Sequence, residues 1–202
     1  MRANKYKVSG KTGKIVAIAC STGGPRALLE VIPKLPKDIQ APVLIVQHMP
    51  DGFTRTLAER LDSLSEIGVK EAEEGDVLKN GHVYLAKAGY HMEIKKDGNE
   101  HVIHLHEEPY REGVRPCANY MYESLADSGY DEVICVVLTG MGADGTEGIE
   151  FLQHHKKIRI IIENKESCVV YGMPGSIEKH KLQHRSVDLK NIANEIIFNM
   201  GV

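Results

Sequence analysis

Three residues in this sequence have the types that nucleophilic acyl chemistry needs, and each sits at the end of a short apolar run. Ser21 follows the run 14–20, in Ala19-Cys20-Ser21-Thr22-Gly23-Gly24-Pro25. His48 ends the run 41–48, in Gln47-His48-Met49-Pro50. Asp144 follows the run 131–140, in Thr139-Gly140-Met141-Gly142-Ala143-Asp144-Gly145. A serine hydroxyl is a weak nucleophile until a neighbouring base takes its proton. An imidazole serves as that base when a carboxylate fixes its tautomer and offsets its charge. Singly, none of the three is diagnostic. Ser21 in a glycine-rich turn also suits a phosphate cradle. His48 alone suits a structural histidine, and Asp144 alone suits the N-cap of a helix starting at Thr146. Their shared place at strand ends is what points to catalysis.

The turn around Ser21 has a mechanical logic. Ala19-x-Ser21-x-Gly23 resembles a nucleophile elbow with alanine at the first small position. Pro25 suits the first turn of a helix. That helix would aim its free N–H groups and positive dipole end at the site, near Thr22 and Gly23. Met141 and Gly142 offer further backbone N–H groups from the neighbouring loop. A well-placed donor to a tetrahedral oxyanion is worth about 3–4 kcal/mol.

The elements that must position these groups are legible as alternating strands and helices. KIVAIAC (14–20), APVLIVQH (41–48) and DEVICVVLTG (131–140) are short, β-branched and unbroken by polar residues, which predicts buried parallel strands. Leu28, Leu29 and Ile32 give the segment after Ser21 one apolar face. FTRTLAERLDSL (53–64) carries Leu57, Leu61 and Leu64 at helical spacing. Residues 69–106 alternate like antiparallel strands, with Asp97-Gly98 as a hairpin turn, and read as a sheet edge. A helix over 118–129, a helix from Thr146, a strand IRIIIEN, a short helix near Met173 to Lys181 and a last helix over 189–200 complete the chain. This pattern predicts one α/β domain over 14–202, three-layered and doubly wound, with a mostly parallel sheet and an antiparallel edge hairpin, after a loose lead-in over 1–13.

Composition narrows the alternatives. The formal net charge is −3 and tryptophan is absent, so neither a basic footprint nor a base-stacking platform supports nucleic-acid binding. No run approaches a membrane span, and no signal peptide is evident, which predicts a cytoplasmic protein. Cys20, Cys117, Cys135 and Cys168 are scattered without metal-like spacing, as expected in a reducing compartment. Cys20 is a rival nucleophile, but it falls on the strand side of the turn, pointing away. His104 and His106 share a strand face without a third ligand and read as a solvated edge. No metal or organic cofactor is expected.

Four segments resemble the catalytic domain of chemotaxis protein-glutamate methylesterases. They are Ser21–Pro25, Gln47–Pro50, Leu138–Gly145 and Ser167-Cys168-Val169-Val170-Tyr171-Gly172-Met173-Pro174. The resemblance runs over about residues 14–198. It implies hydrolysis of γ-glutamyl methyl esters on the cytoplasmic helices of chemoreceptors, with release of methanol, and deamidation of receptor glutamines. Ser21 then attacks the ester, His48 takes the proton, and Asp144 orients His48. Thr22, Gly23, Met141 and Gly142 support the site or its oxyanion hole. The order Ser…His…Asp separates this fold from α/β-hydrolases. Departures are Ala19-Cys20 for Gly-Ala, Val114-Arg115-Pro116-Cys117-Ala118-Asn119 for the family's His-Arg-Pro-Ser with an Asp two residues on, and Ala86–His91 for a Pro-rich turn. Arg115 is retained, which implies a contact with the acidic receptor. The N-terminal receiver domain usual in the family has no counterpart in these residues, so the resemblance implies either a stand-alone esterase regulated by a separate receiver protein or an isolated catalytic domain. A non-catalytic anion-binding or signalling-scaffold module of the same fold is the competing expectation.

Overall fold

A computed structural model describes residues 13–201, so nearly all of the lead-in expected over 1–13 lies outside the described residues. The strands are β1 (Lys14–Cys20), β2 (Val43–Gln47), β3 (Gly68–Glu71), β4 (His82–Leu85), β5 (His91–Asp97), β6 (Glu100–His106), β7 (Glu132–Val137), β8 (Lys157–Glu163) and β9 (Arg185–Val187). The helices are α1 (Gly24–Val31), α2 (Phe53–Leu64), α3 (Ala118–Ser124), α4 (Thr146–Gln153), α5 (Gly172–Lys179) and α6 (Ile192–Met200). Seven strands form one sheet in the order β3-β4-β2-β1-β7-β8-β9, and every pairing in it is parallel. Among the described residues no helix is long and apolar enough to cross a membrane.

β1 is apolar on both faces because helices cover both. Ile15, Ala17 and Ala19 join one core with Tyr122 of α3, Ile149 of α4 and Met173 of α5. Val16, Ile18 and Cys20 join the other with Leu28 of α1, Leu61 of α2 and Ile196 of α6. The small side chains of Ala17 and Ala19 make room for Tyr122. Its buried hydroxyl lies 3.2 Å from both the Ala17 and Val136 carbonyl oxygens. The chain leaves β1 towards β2 and later returns to its other side as β7. The switch point therefore falls between β1 and β7, where doubly wound sheets form their sites.

The segment 69–106 departs from the antiparallel expectation in its first half. β5 and β6 form the hairpin, paired Asp97↔Glu100 at the turn, but β3 and β4 run parallel inside the main sheet. Alternation marks a half-buried strand without fixing the direction of its partner. Direction here follows from the connection. Residues 72–81 leave the sheet and pair with β6, through Gly75 N–H to Ile103 O (2.9 Å), Ile103 N–H to Asp76 O (2.9 Å) and Leu78 N–H to His101 O (2.8 Å). They thus serve as a helix-free crossover. The hairpin is a separate two-stranded sheet, stacked on α3 through Met92, Ile94 and Ile103 rather than bonded at the main sheet's edge. Its histidines are correspondingly less solvated than expected. His101 accepts the Gly129 N–H (2.8 Å) and stacks on Tyr130. The helix expected over 118–129 ends at Ser124 and continues as a 3-10 turn, Leu125–Asp127. β9 carries no apolar run, so nothing in its sequence announced it.

Candidate active site

β1 and β2 pair in the register Cys20↔Gln47, so Ser21 and His48 are the next residues on two adjacent strands. The His48 N–H donates to Cys20 O (3.2 Å). The Gln47 side-chain amide then ties both turns, donating to Ser21 O (3.0 Å) and His48 O (2.8 Å). From the other side the Ser21 N–H donates to Thr139 O (3.0 Å), and Thr139 Oγ1 donates to Thr22 O (2.9 Å). The turn is thus held by the last residue of β2 and the segment that follows β7. Gly23 takes φ +84°, and a Cβ there would lie 2.7 Å from the Val169 Cβ.

Gly140 is equally constrained: an added Cβ would sit 2.9 Å from the Ser21 Cβ and overlap the Met173 sulfur. Gly140→Ala is expected to lower stability by about 1–3 kcal/mol through overpacking. It should also slow Ser21 labelling by a fluorophosphonate. A thermal melt and a labelling time course check this, and an unchanged melt refutes it.

Cys20 faces the α1 side, fully buried, and its thiol donates to Gln47 Oε1 (3.1 Å). Burial pushes its pKa far up, and nearby Glu163 adds to the rise. A thiol held protonated is no nucleophile. Cys20→Ser should therefore leave fluorophosphonate labelling in place, whereas loss of labelling would assign Cys20 a chemical role.

His48 and Asp144 meet directly, with Nε2 of His48 2.7 Å from Asp144 Oδ2. This leaves Nδ1 as the free ring nitrogen. Asp144 is 3% exposed and held by more than His48. It accepts the N–H of Ala118 (2.7 Å) and of Asn119 (3.1 Å), and the Cys117 thiol (2.9 Å). These groups open α3, so Asp144 caps that helix. The alternative role of Asp144, a cap on α4, does not form, since α4 starts from Gly145 with no side-chain cap. Burial would raise the Asp144 pKa, but hydrogen bonds from His48, Ala118 and Cys117 outweigh it and hold the carboxyl below its usual value. Asn119 grips the same loop, its Oδ1 accepting the N–H of Gly145 (3.0 Å) and Gly148 (2.7 Å). The methyl of Ala19 meets this loop too, 3.6 Å from where a Gly145 Cβ would stand.

Among the described residues the amides of Thr22, Gly23, Met141 and Gly142 make no hydrogen bond, whereas that of Ser21 is spent on Thr139. Met141 and Val169 are exposed, and Val169 lies against Gly23 of the Ser21 turn. A cleft of about 370 Å³ opens beside His48, lined by Met49, Pro50, Tyr110, Val114 and Arg115. Arg115 lies over the Tyr110 ring (4.7 Å) and donates to Glu107 O (3.0 Å) and Glu108 O (3.2 Å). Among the described residues no cluster of His, Cys, Asp or Glu is arranged to hold a metal ion. Gln47, Thr139, Cys117 and Asn119 belonged to segments noted in the sequence, but their roles had no signal there. Each acts across a gap in the chain that only the fold closes.

A protein-family model described as CheB methylesterase matches residues 16–196. The chain belongs to the CheB methylesterase family. It is 47% identical over 183 residues to a protein-glutamate methylesterase/protein-glutamine glutaminase of Halalkalibacterium halodurans, covering 91% of this chain and 53% of that protein. The protein of the same description from Bacillus subtilis is 46% identical over 189 residues, covering 93% of this chain and 52% of it. The chain thus spans about half the length of the curated relatives it matches. Among solved structures, the Thermotoga maritima CheB methylesterase catalytic domain superposes with a TM-score of 0.89 at 41% identity, covering 93% of this chain and 98% of that one. The parallel sheet and separate hairpin are therefore the fold of this family's catalytic domain.

Proposed function

We propose that this chain is the hydrolytic unit of a protein-glutamate methylesterase, acting on methylated glutamates of chemoreceptor cytoplasmic helices and deamidating specific receptor glutamines. The observation that carries the proposal is the His48–Asp144 contact, made by an ionised, buried carboxylate beside the strand end that bears Ser21. Ser21 Oγ attacks the ester carbonyl carbon while His48 Nδ1 takes its proton. The oxyanion faces the free amides of the Met141–Gly142 loop and the Thr22–Gly23 turn. Collapse breaks the acyl–oxygen bond, and His48 returns the proton to the departing methanol. Water then attacks the acyl-enzyme, again giving its proton to His48, and glutamate and free Ser21 are released. With glutamine as substrate the leaving group is ammonia. Asp144 stays ionised and stabilises the imidazolium. The cleft beside His48 offers room for the receptor chain, with Arg115 on its wall.

The test is labelling by a fluorophosphonate together with methanol release from methylated receptor fragments. Labelling that His48→Ala greatly weakens supports the reading. A chain that never labels, or that needs neither His48 nor Asp144, is instead the anion-binding module.

A further inference from the structure

His91 opens β5, is fully buried, and makes no hydrogen bond to Ser21, His48 or Asp144. Both its nitrogens are nevertheless committed. Nδ1 accepts the Cys117 N–H (3.2 Å), and Nε2 donates to Pro109 O (3.2 Å). That pair of bonds requires the neutral ring with its proton on Nε2. Burial keeps it neutral, lowering its pKa, and the neighbouring His106 and Arg115 act the same way. The ring is held by Tyr120 (centroids 4.5 Å apart) and His106 (5.2 Å).

What His91 anchors is the residue where the carboxylate clamp begins. Cys117 stands before α3 in an extended conformation, and its own side chain caps nothing there. Its thiol and the next two amides are three of the donors to Asp144. We propose that His91 is a positioning residue for the Asp144–His48 pair, fixing the Cys117 peptide and thereby the direction of the donors that hold the carboxylate. The proposal rests on the assignment of Ser21, His48 and Asp144 as the reacting set.

Three variants separate this role from mere packing. In His91→Asn the side-chain oxygen stands where Nδ1 stood and still accepts the Cys117 N–H. In His91→Gln the polar end reaches the Pro109 side instead. His91→Leu keeps volume and loses both bonds. The readouts are kcat and KM for methanol release, the melting temperature, and the downfield proton resonance of His48 Nε2–H against Asp144. His91→Asn should stay close to wild type in kcat. His91→Gln and His91→Leu should lose about 10- to 100-fold in kcat with KM little changed, as expected for a sub-ångström misplacement, and the downfield proton should move or broaden. Equal kcat in Asn and Gln variants overturns the proposal. So does a loss that follows only the folded fraction while the proton stays unmoved. If Leu prevents folding, the Asn–Gln pair still decides. If the wild-type chain does not label, the Ser21 assignment fails, and the His48 proton in the variants still tests His91.

Discussion

Ser21→Ala is expected to abolish fluorophosphonate labelling and to lower methanol release from methylated receptor fragments by about 10⁴-fold or more. The expectation comes from how little else can attack. Cys20 is buried on the opposite face of β1 and held protonated, so it cannot substitute. Water activated by His48 would still find the free amides of Met141 and Gly142, which sets the residual rate. The removed hydroxyl makes no hydrogen bond among the described residues, and neighbouring bonds of the turn run through the Ser21 backbone. The melting temperature should therefore hold while activity disappears. Activity that persists in Ser21→Ala would sink the assignment outright.

Asp144→Asn should cost nearly as much, about 10⁴-fold in kcat, and should also destabilise the fold. Asp144 accepts four donors: the His48 ring N–H, two α3 amides and the Cys117 thiol. An asparagine offers one acceptor oxygen and one NH₂ group. If its oxygen faces Cys117 and Asn119, its NH₂ faces the Ala118 N–H and His48 Nε2. His48 must then place its proton on Nδ1, where it can no longer take one from Ser21. The opposed N–H groups lose their partner in a buried place, at about 1–3 kcal/mol each. The pH dependence follows from the lowered Asp144 pKa. Because the folded value lies below the unfolded one, the ionised carboxylate contributes stability above the unfolded pKa. That contribution is lost as pH falls through the folded pKa. Wild type and Asp144→Asn should differ most in denaturant midpoint near neutrality and converge in strong acid. A gap that widens on acidification would contradict the clamp.

The meeting of the three residues proposed as the reacting set was legible because strand ends are legible. Unbroken Ile/Val-rich runs mark buried parallel strands, and such sheets form sites at one end. The sequence alone therefore brings Ser21, His48 and Asp144 to one end of the sheet. The support beneath them was not legible, because it depends on which elements meet. Asp144 taken alone suited a cap of the helix that follows it, but its donors come from the start of α3, a partner no local pattern announces. β3 and β4 sat in a segment with the right pattern and an unreadable direction, because strand alternation is the same in parallel and antiparallel pairs, whereas the hairpin that His91 opens was announced by its Asp97-Gly98 turn. The crossover through 72–81, which decides that direction, is a property of backbone bonds to β6 and leaves no mark in composition.

The division of β1 between two cores has an engineering consequence. The carboxylate clamp, Tyr122 and the hairpin lie with the α3 side, whereas α1, α2 and α6 pack around Val16, Ile18 and Cys20. Substitutions that improve packing in the α1–α2–α6 layer can raise thermal tolerance while leaving the geometry at Asp144 alone. The same changes made around Met92, Met121 or Ile149 would be felt at the site. A stabilised catalyst is best sought by redesigning one face of this sheet and leaving the other as it is.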